Sequence, residues 1–177
     1  MDVAAGKGAM RSGIAEWMAQ HGIPGWLVIF LFAMTPIFEL RGAIPLKLIF
    51  EGMPLWQVYL LAVAGNVVPA IPLLLFLDPI SRALMSRSRA MERFFNWLFA
   101  RTRRRSGLVE KLGAIGLSLF VAIPLPVTGA WTGCVAAFLF GIRFRYAFPA
   151  VVLGVMMAGV IVSILTFGAD VALRFAS

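Results

Sequence analysis

The chain has 177 residues, of which 61% are hydrophobic and 14% are charged, and carries a net charge of +8 with a mean hydropathy of +0.92. This composition is typical of a membrane-embedded protein, and the length allows one small domain. A single cysteine and a single histidine exclude an internal disulfide and a Cys/His metal site and leave no nucleophile–base pair, so we predict no enzyme, no metal and no cofactor.

The first 25 residues are mildly polar and place Ile14, Trp17 and Met18 at helical spacing. We predict a short interfacial helix that Trp17 anchors near the lipid headgroups, with a frayed tail as the alternative. The apolar stretch that follows lacks a small-residue cleavage pattern, so we expect no cleavable signal peptide.

Residues 26–38 carry no charge and would form a helix of about 20 Å, shorter than the hydrocarbon core of about 30 Å. The chain then meets Glu39, Arg41 and Gly42 and turns apolar again towards Phe50. We predict a re-entrant hairpin of two half-length helices, with a polar turn that is buried in protein or lines a cavity. The alternative is a protein of four full spans with both termini inside, in which Glu39 and Arg41 would not face each other.

Residues 55–77 form a full span of 23 uncharged residues that contains Asn66, Pro69 and Pro72. The prolines should bend this helix and free backbone carbonyl groups. Asn66 either hydrogen-bonds one of these carbonyls or contributes to a binding site. We expect Asp78-Pro79 to end the span.

A basic segment, residues 81–111, follows with nine Lys or Arg and two Glu, so that nine minus two leaves a net charge of +7. Apolar and aromatic residues alternate with these charges. The pattern predicts an amphipathic helix over residues 81–105 that lies on the cytoplasmic leaflet and binds anionic lipid, followed by a basic turn. We expect no nucleic-acid partner.

Residues 112–142 are 31 residues without a charge, which is about 46 Å of helix, too long for one span and too short for two. A second re-entrant hairpin that turns at residues 124–133 fits better. Arg143 and Arg145 follow it, and residues 147–169 form another 23-residue span with Gly154 and Gly159 for close helix packing.

The two halves share one order of elements. The hairpins begin at residues 26 and 112 and the spans at 55 and 147, so the offsets are 86 and 92. A hairpin returns to its own side, so each half crosses the membrane once and the halves are inverted. We therefore predict one all-α integral membrane domain over residues 1–177, an inverted repeat of two units. Each unit has an interfacial helix, a re-entrant hairpin and one transmembrane helix; the first covers about 11–77 and the second, with its basic helix, about 78–170.

The two turns should meet inside the protein. Burial raises the pKa of a carboxyl group towards the working range, so Glu39 is a candidate proton site. Arg41 can bind phosphate through two parallel hydrogen bonds. The alternative is that the two side chains only neutralise each other. The predicted substrate- and proton-binding residues, several of which have structural alternatives, are Glu39, Arg41, Pro45, Asn66, Pro124, Pro126, Thr128, Gly129, Trp131, Thr132, Arg143 and Arg145.

Two segments, Glu39–Pro45 (ELRGAIP) and Pro124–Gly133 (PLPVTGAWTG), resemble the signature segments of the small multidrug export proteins of bacteria and archaea. That family resembles the DedA/VTT superfamily. The resemblance implies paired re-entrant hairpins, a required acidic residue and arginine at Glu39 and Arg41, and a proline pair at Pro124 and Pro126. It also implies movement of polyprenyl-phosphate or other lipids, coupled to protons. DedA proteins carry a second acidic residue after the proline pair, where this chain has residues 127–129 (VTG).

We therefore expect a proton-coupled transporter or flippase for a phosphorylated lipid in the bacterial or archaeal cytoplasmic membrane. A proton-coupled exporter of small cationic drugs and a non-transporting membrane scaffold are the alternatives. Basic residues favour the cytoplasmic side of a membrane, which places the segment 81–111 inside and both termini outside. A homodimer is expected, because two hairpins and two spans make a thin bundle.

Overall fold

The fold was analysed in a computed structural model, which describes residues 24–48, 52–105, 107–124 and 128–176. Every regular element in these ranges is helical: α1 (Gly25–Met34), α2 (Glu39–Ala43), a 3₁₀ helix (Ile44–Leu48), α3 (Leu55–Arg87), α4 (Arg89–Arg105), α5 (Gly107–Ala122), α6 (Ala130–Leu139) and α7 (Phe144–Ala176). This confirms the all-α prediction. The interfacial helix predicted in the first 25 residues and the site residue Pro126 lie outside the described residues.

Two helices are long and apolar enough to cross a membrane, Leu55–Leu77 within α3 and Phe144–Gly168 within α7. They coincide with the two predicted spans. Large apolar side chains on them face outward, among them Trp56 at 65% and Ile164 at 66% exposure. Apolar surface of this extent is what a lipid-facing helix presents.

The first span ends at Leu77, directly before Asp78-Pro79 as predicted, while the helix α3 itself continues to Arg87. Charge decides where a helix leaves the membrane, whereas proline removes only one backbone hydrogen bond and leaves the rest of the helix intact. The predicted single basic helix 81–105 was wrong. Ser88 adopts an extended conformation, with φ −148° and ψ 123°, and it separates the end of α3 from α4.

The helix α4 is amphipathic, and its aromatic residues divide between two faces. Phe95 is buried, and the ring of Phe99 lies 5.4 Å from that of Phe138 in α6, so this face packs on the protein. Phe94 and Trp97 are exposed, and the Arg101 guanidinium lies 5.4 Å from the Trp97 ring centroid. The binding of this exposed face to anionic lipid stays a prediction.

In the first half, the predicted hairpin breaks before Glu39 rather than between Glu39 and Gly42. Thr35 is extended, with φ −73° and ψ 143°, because a residue that precedes proline avoids the helical region. The Thr35 hydroxyl donates to the Phe32 carbonyl at 2.7 Å, and Phe38 stacks on Phe32 with 4.2 Å between ring centroids. The second arm is α2 and a 3₁₀ turn, so the expected half-length helix is replaced by two short helical pieces.

In the second half, α5 kinks at Gly113, which has a φ of 57°, and ends at Ala122. The helix α6 begins at Ala130. Trp131 and Thr132, which we placed in the turn, therefore belong to the first turn of α6. The bilayer depth of both turns and the inversion of the halves stay predictions.

Each half packs its broken helix against its long helix through a glycine at the same position. Gly65 lies ten residues after Leu55 in α3, and Gly154 lies ten residues after Phe144 in α7. A Cβ atom at Gly65 would overlap the Phe30 carbonyl of α1, and one at Gly154 would lie 2.6 Å from Val121 Cβ and 2.7 Å from the Ser118 carbonyl oxygen of α5. These close contacts join α1 to α3 and α5 to α7.

We expect Gly154→Ala to lower the thermal unfolding temperature in detergent, because the added methyl group forces α5 and α7 apart, at a cost of about 1–3 kcal/mol. Gly168→Ala, in the same helix, is the matched control, since a Cβ there meets nothing within 4 Å. An unchanged unfolding temperature for Gly154→Ala would contradict this packing.

Candidate functional site

The carboxylate of Glu39 crosses from the first half to the second and caps the N-terminus of α6. Its side chain is buried, with 7% exposure. Oε1 accepts a hydrogen bond from the Trp131 backbone N–H at 3.3 Å, and the Ala130 N–H donates as well. The first N–H groups of a helix have no partner within the helix and carry a partial positive charge, so a carboxylate is well stabilised there.

Gly129 makes this approach sterically possible. A Cβ atom at position 129 would lie 2.6 Å from Glu39 Cδ and would overlap the Oε2 oxygen. The φ of Gly129 is 164°, which is extended backbone that any residue adopts. The glycine is therefore required for space and not for conformational freedom.

Glu39 itself has a φ of 48°, the one positive φ of a non-glycine residue in the described ranges. A left-handed conformation costs a residue with a side chain about 1–2 kcal/mol. The hydrogen bonds to α6 hold the residue in this conformation. Backbone strain of this kind clusters at functional sites.

Two further contacts join the turns. The Trp131 indole Nε1 donates to the Met34 carbonyl at 3.2 Å, and Arg41 Nη2 donates to the Thr128 hydroxyl at 3.3 Å. The Thr128 hydroxyl in turn donates to the Ile123 carbonyl at 2.6 Å. Polar groups of both turns therefore meet in one hydrogen-bonded cluster.

A cleft lies beside this cluster, with a cavity volume of about 50 Å³. Five of the predicted site residues line it: Glu39, Arg41, Thr128, Trp131 and Thr132. Three further residues line it that were not predicted, Pro36, Ile37 and Phe38. The Thr35-Pro36 step was the available signal, because it predicts that the helix ends there and that the next residues form the turn.

A second, internal pocket lies behind Glu39, and Asn66 of α3 contributes to its wall together with Gly129, Ala130 and Val155. Its spaces are too narrow for a water molecule. Asn66 is fully buried, and neither its Oδ1 nor its Nδ2 has a hydrogen-bond partner among the described residues. The interpretation that Asn66 satisfies a carbonyl freed by proline was therefore wrong.

Four predicted site residues line neither the cleft nor the internal pocket. Pro45 lies in the 3₁₀ helix, and Pro124 begins the second turn. Arg143 and Arg145 are exposed at the start of α7, and the Arg145 guanidinium lies 4.7 Å from the Tyr146 ring centroid. These two arginines, which were predicted to bind substrate or protons, are thus not part of the cleft, because they follow the C-terminal end of α6 whereas the cleft lies at its N-terminal end.

Burial raises the pKa of Glu39, which lies in α2 outside the two spanning helices, to about 7. The hydrogen bonds from α6 and the charge of Arg41 oppose this rise without cancelling it. Burial also lowers the pKa of Arg41, while the Glu39 charge raises it. The carboxyl group therefore exchanges its proton near neutral pH while the guanidinium stays charged.

We expect Gly129→Ala to lower the thermal unfolding temperature by displacing the Glu39 carboxylate from α6, at a cost of about 1–3 kcal/mol. Gly52→Ala is the control, since a Cβ there meets nothing within 4 Å. In a Glu39→Ala background the same glycine substitution should cost little, because the carboxylate is gone. Additive effects of the two substitutions would show that the carboxylate does not lie against Gly129.

The raised pKa of Glu39 predicts a pH dependence of stability. Between its ordinary value of 4.5 and about 7, the folded protein holds a proton that the unfolded chain has released, so stability falls as pH rises through this window and is level above it. The loss amounts to at most about 3 kcal/mol. Thermal unfolding between about pH 5 and pH 8 should show this fall in the wild type, and Glu39→Gln should reduce it. The exposed Glu92→Gln should keep it. A Glu39→Gln profile that matches the wild type would refute the assignment.

Comparison with known proteins gives one match to a family. No curated protein and no solved structure matches the chain. The sequence model of the family described as "Putative small multi-drug export protein" matches residues 39–161, which begin at the capping carboxylate and end within the second spanning helix. The match covers more than half of the chain and includes the cleft residues from Glu39 to Thr132. The chain belongs to this family of membrane exporters.

Proposed function

We propose that the chain is a proton-coupled membrane transporter that moves an anionic amphiphile, with a phosphorylated lipid of the polyprenyl-phosphate type as the preferred substrate. The observation that carries the proposal is the cleft between the two turns. Arg41 supplies a positive charge there, Thr128 and Thr132 supply hydroxyl groups, and the Trp131 ring supplies an apolar wall. This is the set of groups that binds a charged headgroup beside an apolar chain.

The charge balance of the cleft supports an anionic substrate. The Glu39 carboxylate already accepts hydrogen bonds from α6 and lies in the field of Arg41. Among the described residues, the charged groups at the cleft are the Glu39 carboxylate and the Arg41 guanidinium, and the positive end of a helix dipole lies beside them. A cationic drug would meet the guanidinium and the helix dipole there.

The proposed architecture is an inverted repeat in which each half crosses the bilayer once. Its support is the shared order of elements and the glycines at matching positions of α3 and α7. The helices α1 and α6, one in each half, have ten residues each. Each of these short helices is about 15 Å long, half of the hydrocarbon thickness. The cleft would then lie within the bilayer, where re-entrant segments line a cavity.

The orientation and partners complete the proposal. We propose that the segment around α4 lies on the cytoplasmic side of the bacterial or archaeal inner membrane, against anionic lipid, with the termini outside, because basic residues favour that side and attract anionic lipid. A homodimer would enclose the thin bundle.

We expect Arg41→Ala to lower the flux of a fluorescent prenyl phosphate across proteoliposomes at least about tenfold, since a charge-assisted contact to the substrate is lost. Arg41→Lys should keep part of the flux, because the charge stays while the planar fork is lost. Unfolding temperatures near that of the wild type would show that both variants are folded. A folded Arg41→Ala protein with wild-type flux would refute the assigned contact.

Export of cationic drugs is the second candidate, and the description of the family favours it. It makes the opposite prediction for the two charges. Glu39→Gln alone would abolish drug resistance in cells, whereas Arg41→Ala would leave it intact. Proteoliposomes that move neither class of compound would favour the third alternative, a membrane scaffold whose working surface is α4.

A further inference from the structure

The N-terminus of α6 is an anion site that the protein fills with its own side chain. The Trp131 and Ala130 N–H groups donate to the Glu39 carboxylate, and the same end of α6 opens onto the cleft through Trp131 and Thr132. A phosphate group that entered the cleft beside Arg41 would need these same N–H donors. The carboxylate and the substrate anion are therefore competitors for one site.

Asn66 offers Glu39 a second hydrogen-bonding partner. Its carboxamide is fully buried, has no hydrogen-bond partner among the described residues and lines the internal pocket that Glu39 also lines. A buried polar side chain without a partner costs about 1–3 kcal/mol. Glu39, the unpartnered amide of Asn66 and the first residues of α6 therefore line one pocket.

Building on the proposed function, we propose that Glu39 exchanges between the N-terminus of α6 as a carboxylate and Asn66 as a carboxylic acid, and that the substrate anion takes its place on α6. The proton that Glu39 gains enters through the cleft. Substrate and proton are then bound together and released together. Each is expelled when the deprotonated carboxylate returns to α6.

The chemistry of the amide selects the protonated form. A carboxylic acid and a carboxamide form two complementary hydrogen bonds: the acid O–H donates to Asn66 Oδ1, and Asn66 Nδ2 donates to the acid carbonyl oxygen. An ionised carboxylate could only accept from Nδ2 and would leave Oδ1 facing a negative charge. In a narrow pocket without water, the neutral pair is the stable one.

We assign the proton of the exchange to Glu39 because of the groups that surround it. Arg41 shares its helix, and the packed 3₁₀ helix contributes Lys47. Next to it, α6 contributes the Cys134 thiol, and burial raises the pKa of this thiol to about 12, with a smaller contribution from the Glu39 charge. The pocket walls contributed by α3, α5 and α7 are Asn66, Val121, Val155 and Ala158, none of which titrates, and α1 has no ionisable residue.

The test is calorimetric binding of dihexanoylphosphatidylglycerol to the purified full-length protein in detergent, repeated in buffers with different ionisation enthalpies. The single charge of this phosphodiester does not change between pH 6 and pH 9, so any proton uptake belongs to the protein. Because the pKa of Glu39 is about 7, we expect uptake approaching one proton per ligand at pH 8. The affinity should fall about tenfold for each pH unit above that pKa.

Glu39→Gln should remove both effects and bind the probe with an affinity that is independent of pH. In Asn66→Leu, the affinity should begin to fall at a pH about one unit or more below that of the wild type, since the protonated carboxyl group loses its partner. The substitution should also raise the unfolding temperature, because an unpartnered polar group leaves the core. If Asn66 had a purely structural role, Asn66→Leu would lower the unfolding temperature and leave the pH profile of binding unchanged. The exposed Asn96→Leu is the matched control and should change neither quantity.

The outcomes separate this inference from the proposed function. Wild-type binding that is independent of pH, or that takes up no proton, would overturn the exchange and leave an anion transporter. A wild-type pH profile in Asn66→Leu would overturn the role of the amide. No specific binding by the wild type and by Glu39→Gln at any pH would overturn the anionic substrate itself, and the exchange with it.

Discussion

One buried carboxylate joins the two halves of the chain. Glu39 belongs to the first broken helix, but its hydrogen-bond donors are the first N–H groups of α6 in the second. The cap fixes the distance between the turns, and the Trp131–Met34 and Arg41–Thr128 hydrogen bonds form around it. The cleft is the space that remains between the two turns once these contacts are made.

This arrangement is costly in free energy. The carboxylate is desolvated, its backbone adopts a left-handed conformation, and Gly129 must lack a side chain to admit it. Its partners offset only part of the desolvation, which is why the pKa of Glu39 stays raised at about 7. A carboxyl group whose pKa lies near neutral pH can gain or lose its proton, and so change hydrogen-bond partners, at a small cost in free energy. This property is useful in a transporter and a disadvantage in a purely structural helix cap.

The sequence was sufficient for the features that depend on hydrophobicity. The places where apolar runs stop and where charges interrupt them predict both spans and both interruptions. They also predict that polar residues of the two turns meet, namely Glu39, Arg41, Thr128, Trp131 and Thr132. Helix boundaries set by single backbone conformations were missed, as at Ser88, because serine is compatible with both helix and extended chain. The continuation of α3 through Pro79 was missed because a helix tolerates the loss of one hydrogen bond. The isolation of Asn66 could not be predicted either, since it depends on which side chains of α5, α6 and α7 surround it.

The account depends most on the claim that each half crosses the membrane once, so that the two turns meet within the bilayer. Paired reporter fusions, one active only in the cytoplasm and the other only outside, test this directly when one pair is joined after Ser88 and a second pair after Ser177. The account predicts that Ser88 lies in the cytoplasm and the C-terminus outside. Reporters on the same side would mean that the second half does not cross the membrane once, which contradicts the second re-entrant turn and with it the meeting of the two turns within the bilayer.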